Sequence, residues 1–209
     1  MKKVTSLKQQ QRNKERVSVF LDDEFAFGLP MMVAAELRLG QTLTEEKIAD
    51  LLERATVEAA KSSALNFLSY RPRSSAEIRR NLKQKAFEEP AIEQAIAWLK
   101  RIDMLDDLKF AEYWIDQRES FKPRSSMALR MELRQKGIAP DIIDTALEAV
   151  DEELSARHAA EKRVSRLEHL PEDQFKLKLM RHLQSRGFNY GIIREVADQL
   201  WQELEERRQ

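Results

Sequence analysis

The chain repeats itself three times at a fixed interval. Leu82-Lys83-Gln84-Lys85-Ala86-Phe87 returns as Leu133-Arg134-Gln135-Lys136-Gly137-Ile138 and again as Leu183-Gln184-Ser185-Arg186-Gly187-Phe188, in steps of about 50 residues. The flanks keep the same register. An aliphatic residue stands four places before each leucine (Ile78, Leu129, Leu179), an isoleucine follows five places after each closing apolar residue (Ile92, Ile143, Ile193), and a proline precedes each block (Pro72, Pro123, Pro171). Such a period describes one supersecondary unit used repeatedly, each copy burying its apolar face partly against the next. The expectation is an elongated, monomeric array of small cores, better suited to gripping something long than to enclosing a small substrate.

Each block parses as three helices. In the first, the connector Arg71-Pro72-Arg73 leads into Ser74 with Glu77, a capping box. Pro90 and Pro140 open third helices. Gly137 and Gly187 are the expected left-handed stops after the second helices, and Ala86 in the same place is expected to be strained or differently terminated. The predicted fold is all-α, three tandem three-helix repeats at 59–105, 106–153 and 154–209. A smaller N-terminal region at 16–58 holds a β-hairpin and helices, and a polar, basic tail at 1–15 is expected to be disordered. In the hairpin, Val17, Val19 and Leu21 alternate, as do Phe25, Phe27 and Leu29. A three-residue loop, Asp22-Asp23-Glu24, would pair Leu21 with Phe25 and Val19 with Phe27 on one apolar face. Pro30 to Leu39 reads as a short helix stopped by Gly40, and one long helix runs from Glu45 to Tyr70.

Chemistry-bearing constellations are scarce. His158, His169 and His182 share no metal-ligand spacing, and there is no cysteine to complete a site. The five glycines build no phosphate-cradling loop. No enzyme activity and no cofactor are expected. The absence of cysteine and of a long apolar run fits a cytoplasmic protein.

Charge is the remaining signal. Lys plus Arg and Asp plus Glu are both 36, so the net charge is zero, but the charges are segregated. The second helices and their connectors are basic: Arg71, Arg73, Arg79, Arg80, Lys83 and Lys85; then Lys122, Arg124, Arg130, Arg134 and Lys136; then Lys176, Lys178, Arg181 and Arg186. The third helices are acidic, with Glu88, Glu89 and Glu93, Asp141, Asp144 and Glu148, and Glu195 and Asp198. Two readings stand side by side. The basic helices pair with the acidic ones across the repeat surface, or they form a register-matched stripe for an acidic partner. The aromatics Phe67, Tyr70, Trp98, Phe110, Tyr113, Trp114 and Trp201 fall at core spacing; Tyr70 and Phe121, just before the connectors, are the expected exceptions.

Phe67-Leu68-Ser69-Tyr70-Arg71-Pro72-Arg73-Ser74, with Glu77-Ile78, Leu82 and Lys85, resembles the RecX family of bacterial recombination regulators. So does Asp106-Asp107-Leu108-Lys109-Phe110-Ala111-Glu112-Tyr113-Trp114, followed by Pro123-Arg124-Ser125 and Leu133 to Ile138. The third repeat departs most, because no Arg-Ser follows Pro171. The resemblance implies a regulator that lies in the groove of the RecA filament, damps ATP hydrolysis and strand exchange, limits filament growth, and binds single- or double-stranded DNA weakly. A DNA-binding module built of helix-turn-helix-like units is the alternative reading, and a scaffold for another partner is a third.

Overall fold

The computed structural model describes residues 1–208. It divides into two compact units, Met1–Arg73 with Glu77–Leu105, and Ser74–Ala76 with the chain from Asp106 onward.

The first unit begins with an antiparallel sheet. Strands β1 (Lys2–Gln9), β2 (Arg16–Leu21), β3 (Glu24–Pro30) and β4 (Thr42–Leu43) lie in the order β3-β2-β1-β4. The expectation of a disordered tail at 1–15 is therefore corrected. Val4–Gln9 pairs with β2, Lys2 and Lys3 pair with β4, and Val4 is fully buried. A register shift between Val4 and Ser6 breaks the apolar alternation that would have marked it as a strand. The hairpin loop is corrected too. Asp22 and Asp23, at φ 49° and 69°, form a two-residue turn that sets Leu21 opposite Glu24. A bulge between Val19 and Phe20 then restores one face, with Val19 opposite Phe27 and Phe25 opposite Phe20.

Helix α1 is short, Met31–Ala34, rather than running to Leu39. The following residues are drawn back to the sheet: Gly40 N–H donates to Val4 O and Val4 N–H to Gln41 O, both at 2.8 Å. Helix α2 (Glu45–Leu68) is continuous, with Thr44 accepting from Lys47 N–H and Glu45 and Glu46 at the positive end of its dipole. Its first half closes the sheet's core through Leu51 and Ala55. Its second half, with α3 (Ser75–Gln84) and α4 (Glu89–Arg101), makes the first repeat's core.

The second unit holds α5 (Asp107–Phe121), α6 (Ser126–Gln135) and α7 (Pro140–Leu147), then α8 (Glu152–Leu167), α9 (Glu172–Gln184) and α10 (Tyr190–Arg208). Asp106, Ser125 and Asp151 cap α5, α6 and α8 with side-chain oxygens. Three-helix cores form around Leu129, Leu133 and Ile143, and around Leu179, Leu183 and Ile193. The residues that repeat in the sequence are thus the centres of the cores. Ile78, Leu82, Leu129, Leu133, Leu179 and Leu183 are all fully buried.

After each second helix the chain makes the same reversal. Phe87, Ile138 and Phe188 N–H donate back to Leu82, Leu133 and Leu183 O, across Ala86, Gly137 and Gly187 at φ 61°, 77° and 90°. No helix among the described residues is long and apolar enough to cross a membrane.

Candidate functional site

The basic side chains of the second helices divide into three kinds. The first kind is paired with the acidic third helix of its own repeat. Arg79 is bound to Glu89 and, at 2.6 Å, to Glu93; Lys83 sits 2.8 Å from Glu89. Arg130 is bound to Asp144, and Lys176 lies 2.7 Å from Asp198. Spacing places these pairs: a helix i,i+4 row on the basic helix faces a matching row on the acidic one. All the carboxylates in these pairs are well exposed, so water and salt screen each pair and its contribution to stability is small.

A second kind is built into the structure. Arg71 makes a two-pronged bond to Glu77 at 2.9 and 3.1 Å. The Arg73 guanidinium lies 3.8 Å above the Phe67 ring, and burial lowers its proton affinity. Lys85 donates to Ser63 Oγ, and Lys136 lies over the Trp114 ring. Arg124 sits 3.0 Å from Glu132, and Arg186 donates to His182 Nε2 and Pro123 O.

The third kind is free. Arg80, Lys122, Arg134, Lys178 and Arg181 are exposed and make no ion pair among the described residues. Arg80, Arg134 and Arg181 come from α3, α6 and α9, one from each repeat. Tyr70 and Phe121, each two residues before a connector proline, are both 76% exposed. Phe25 and Tyr190 are exposed as well, whereas Phe110 stacks on Trp114 and Phe175 tilts against Trp201.

Two features had no signal in the stripe. Glu132 accepts from Trp114 Nε1 at 2.7 Å and from Arg118 Nε at 2.6 Å, beside Arg124, so one carboxylate ties α5, α6 and the connector together. It stands between exposed Met131 and buried Leu133, and no repeated spacing marks it out. Lys162 and Arg163 belong to a first helix, α8, outside the basic pattern, yet Lys162 donates to Ser120 O at the end of α5. His182 is partly buried, and that burial lowers its pKa, with the charges of Arg186 and Arg163 acting in the same direction. No group of three or more histidine or acidic side chains among the described residues is placed to hold a metal ion.

Comparison with known proteins places this arrangement. Residues 2–44 match the model of the Regulatory protein RecX N-terminal domain. Residues 60–99, 106–147 and 151–197 match the first, second and third three-helix domains of RecX. The Regulatory protein RecX of Clostridium botulinum (strain Alaska E43) is 31% identical over 204 residues, covering 94% of this chain and 95% of that protein. That of Bacillus subtilis is 32% identical over 208 residues, covering 97% and 79%. A crystal structure of regulatory protein RecX superposes with a TM-score of 0.75 at 26% identity, over 95% of this chain and all of that one. RecX from Lactobacillus salivarius gives 0.60 at 27% identity, over 72% and 97%.

Proposed function

The chain belongs to the RecX family of regulatory proteins, and from that premise we propose that it binds the RecA–DNA filament in its helical groove and suppresses ATP hydrolysis, strand exchange and filament growth. It acts by binding, without catalysis, as a cytoplasmic monomer. The observation that supports this most is the recurrence of one exposed, unpaired guanidinium on the second helix of each repeat: Arg80, Arg134 and Arg181.

A filament offers the same acidic surface at regular intervals, and an array of repeats can present one cation to each. An exposed ionic contact is worth about 0.2–1 kcal/mol. Three together shift affinity by about threefold to a hundredfold, because about 1.4 kcal/mol is a factor of ten. The paired cations Arg79, Lys83 and Arg130 already hold carboxylates of their own repeat, so they form a second line that exchanges partners at little cost. That internal neutralisation also weighs against a stand-alone DNA-sequence reader, whose recognition helices would need their cations free for phosphate and base edges.

The test is co-sedimentation with RecA–single-stranded DNA filaments and with naked single-stranded DNA at about 0.15 M salt. The proposal expects recovery with the filament well above recovery with DNA alone. Equal recovery with both, or none with the filament, contradicts it.

A further inference from the structure

The second unit carries a cleft of opposite character to the basic stripe. It lies between α5, the end of α7 and the start of α8, and its volume is about 310 Å³. Its base is apolar. Ile115 and Ala146 line it and are themselves buried, Val150 is half-buried, and Leu154 at its edge is exposed. One wall is a row of carboxylates on α5: Glu112, Asp116 and Glu119. Spacings of four and three residues put all three on one face of the helix, where like charges repel. The carboxylates of the third helices are held by cations of their own repeats, but none of these three makes an ion pair among the described residues. No lysine or arginine lines the cleft. Lys162, whose charge is felt at Glu119, donates to Ser120 O instead. The Oε1 of Glu119 is buried and has no hydrogen-bond partner. Asp151, also in the lining, caps α8 by accepting from Leu154 N–H.

We propose that this cleft docks an arginine side chain of a partner protein, its methylene stem lying on Ile115, Ala146 and Val150 and its guanidinium donating to Asp116 and Glu119. Charge complementarity selects a cation. A carboxylate oxygen shut off from water without a donor costs free energy, and a donor from outside removes that cost. The like-charge row on α5 is a second cost in the free chain, relieved by the same cation. A guanidinium suits the place better than a compact ammonium. Its planar fork donates in several directions at once, it is weakly hydrated, and its stem covers apolar surface. A bare metal ion does not suit it, because no three acidic or histidine side chains among the described residues are placed to hold one. The volume stands at the small end of the range for ligand sites, about 300–1,000 Å³, which fits one long side chain. Exposed Leu154 at the edge gives the residue next to that arginine an apolar contact, which a free amine could not use. The inference is independent of the filament reading, because it concerns a different face and a partner group of opposite charge.

The experiment is an amide proton–nitrogen correlation NMR titration of the full chain, in the absence of RecA, with the blocked peptide acetyl-Leu-Arg-Leu-amide. The same peptide with citrulline for arginine keeps the shape and loses the charge. The arginine peptide is expected to shift amides within 112–119 and 150–158, and to bind about tenfold or more tighter than the citrulline peptide. The double variant Glu112→Lys, Asp116→Lys is expected to weaken binding of the arginine peptide by about tenfold or more. Both side chains are exposed, so circular dichroism should be unchanged. If the double variant unfolds, Asp116→Asn replaces it, with an expected loss of about threefold. Equal binding of the two peptides, shifts that fall outside the cleft, or wild-type affinity in the folded variant overturns the proposal. So does an equal response to guanidinium chloride at the same concentration, which would make the cleft a counter-ion site only. So does self-association of the wild type in sedimentation equilibrium that the variant abolishes, which would make the occupant a second copy of this chain.

Discussion

Ser125 and Gly187 lie against each other where the second repeat meets the third. A Cβ on Gly187 would stand 2.7 Å from Ser125 Oγ and 3.2 Å from Ala128 Cβ. The same joint is made one step earlier in the second unit. Ser74 Oγ donates to Lys136 O at 2.6 Å, and a Cβ on Gly137 would stand 2.3 Å from Ala76 Cβ. Glycine at these stops therefore serves two ends, the left-handed turn and the close seat of the preceding connector. Ala86 occupies the equivalent turn at φ 61° and is exposed, so there only the backbone cost applies.

Gly187→Ala is accordingly expected to destabilise the third repeat by more than the roughly 1–2 kcal/mol of a left-handed alanine. Ala86→Gly is expected to stabilise the chain by about 1 kcal/mol, by relieving that same cost. Urea unfolding measures both. Equal and small effects at the two positions would show that the joint is looser than the distances imply.

Glu132→Gln keeps the volume of the side chain and removes the charge shared by Arg118 and Arg124. The two guanidiniums are less than a third exposed, so they are only partly rescued by water. A loss of about 2 kcal/mol or more is expected in urea unfolding, with the slope unchanged. A change under about 0.5 kcal/mol would mean that solvent replaces the carboxylate.

Glu119 sets a pH dependence. Burial raises its pKa above 4.5, opposed by a hydrogen bond from Ser155 and by the charges of His158 and Lys162. A carboxyl whose folded pKa is raised contributes stability that is present below 4.5 and lost as pH rises through the folded value. Glu119→Gln removes that loss. The variant should melt higher than wild type at neutral pH, and the gap should close as pH falls to 4.5 and below. A gap that is the same at both ends of the range would exclude Glu119 as its source.

The cores were legible because burial imposes apolar identity at fixed spacing. Ile78, Leu129 and Leu179 could not be polar, and three copies made the period visible. The helix stops were legible because a left-handed residue is chemically marked. Strand β1 was hidden by its register shift and by an exposed polar face, which left Val4 and Leu7 out of step. The fate of the cations was not readable. Pairing of Arg79 with Glu93, or of Arg186 with Pro123 O, depends on which helix faces turn together, a tertiary fact. Arg163 lay outside the repeated basic helices, so periodicity passed over it.

On the proposed function, the free guanidiniums of the three second helices grip the recombinase filament. That grip is tested most directly by titrating RecA's DNA-dependent ATPase with wild type and with the triple variant Arg80→Glu, Arg134→Glu, Arg181→Glu. These side chains are exposed and unpaired, so helix content should be unchanged. The account predicts that half-inhibition by the variant requires about tenfold to a hundredfold more protein, and that wild-type inhibition fades as salt rises. A folded triple variant that inhibits like wild type would contradict it.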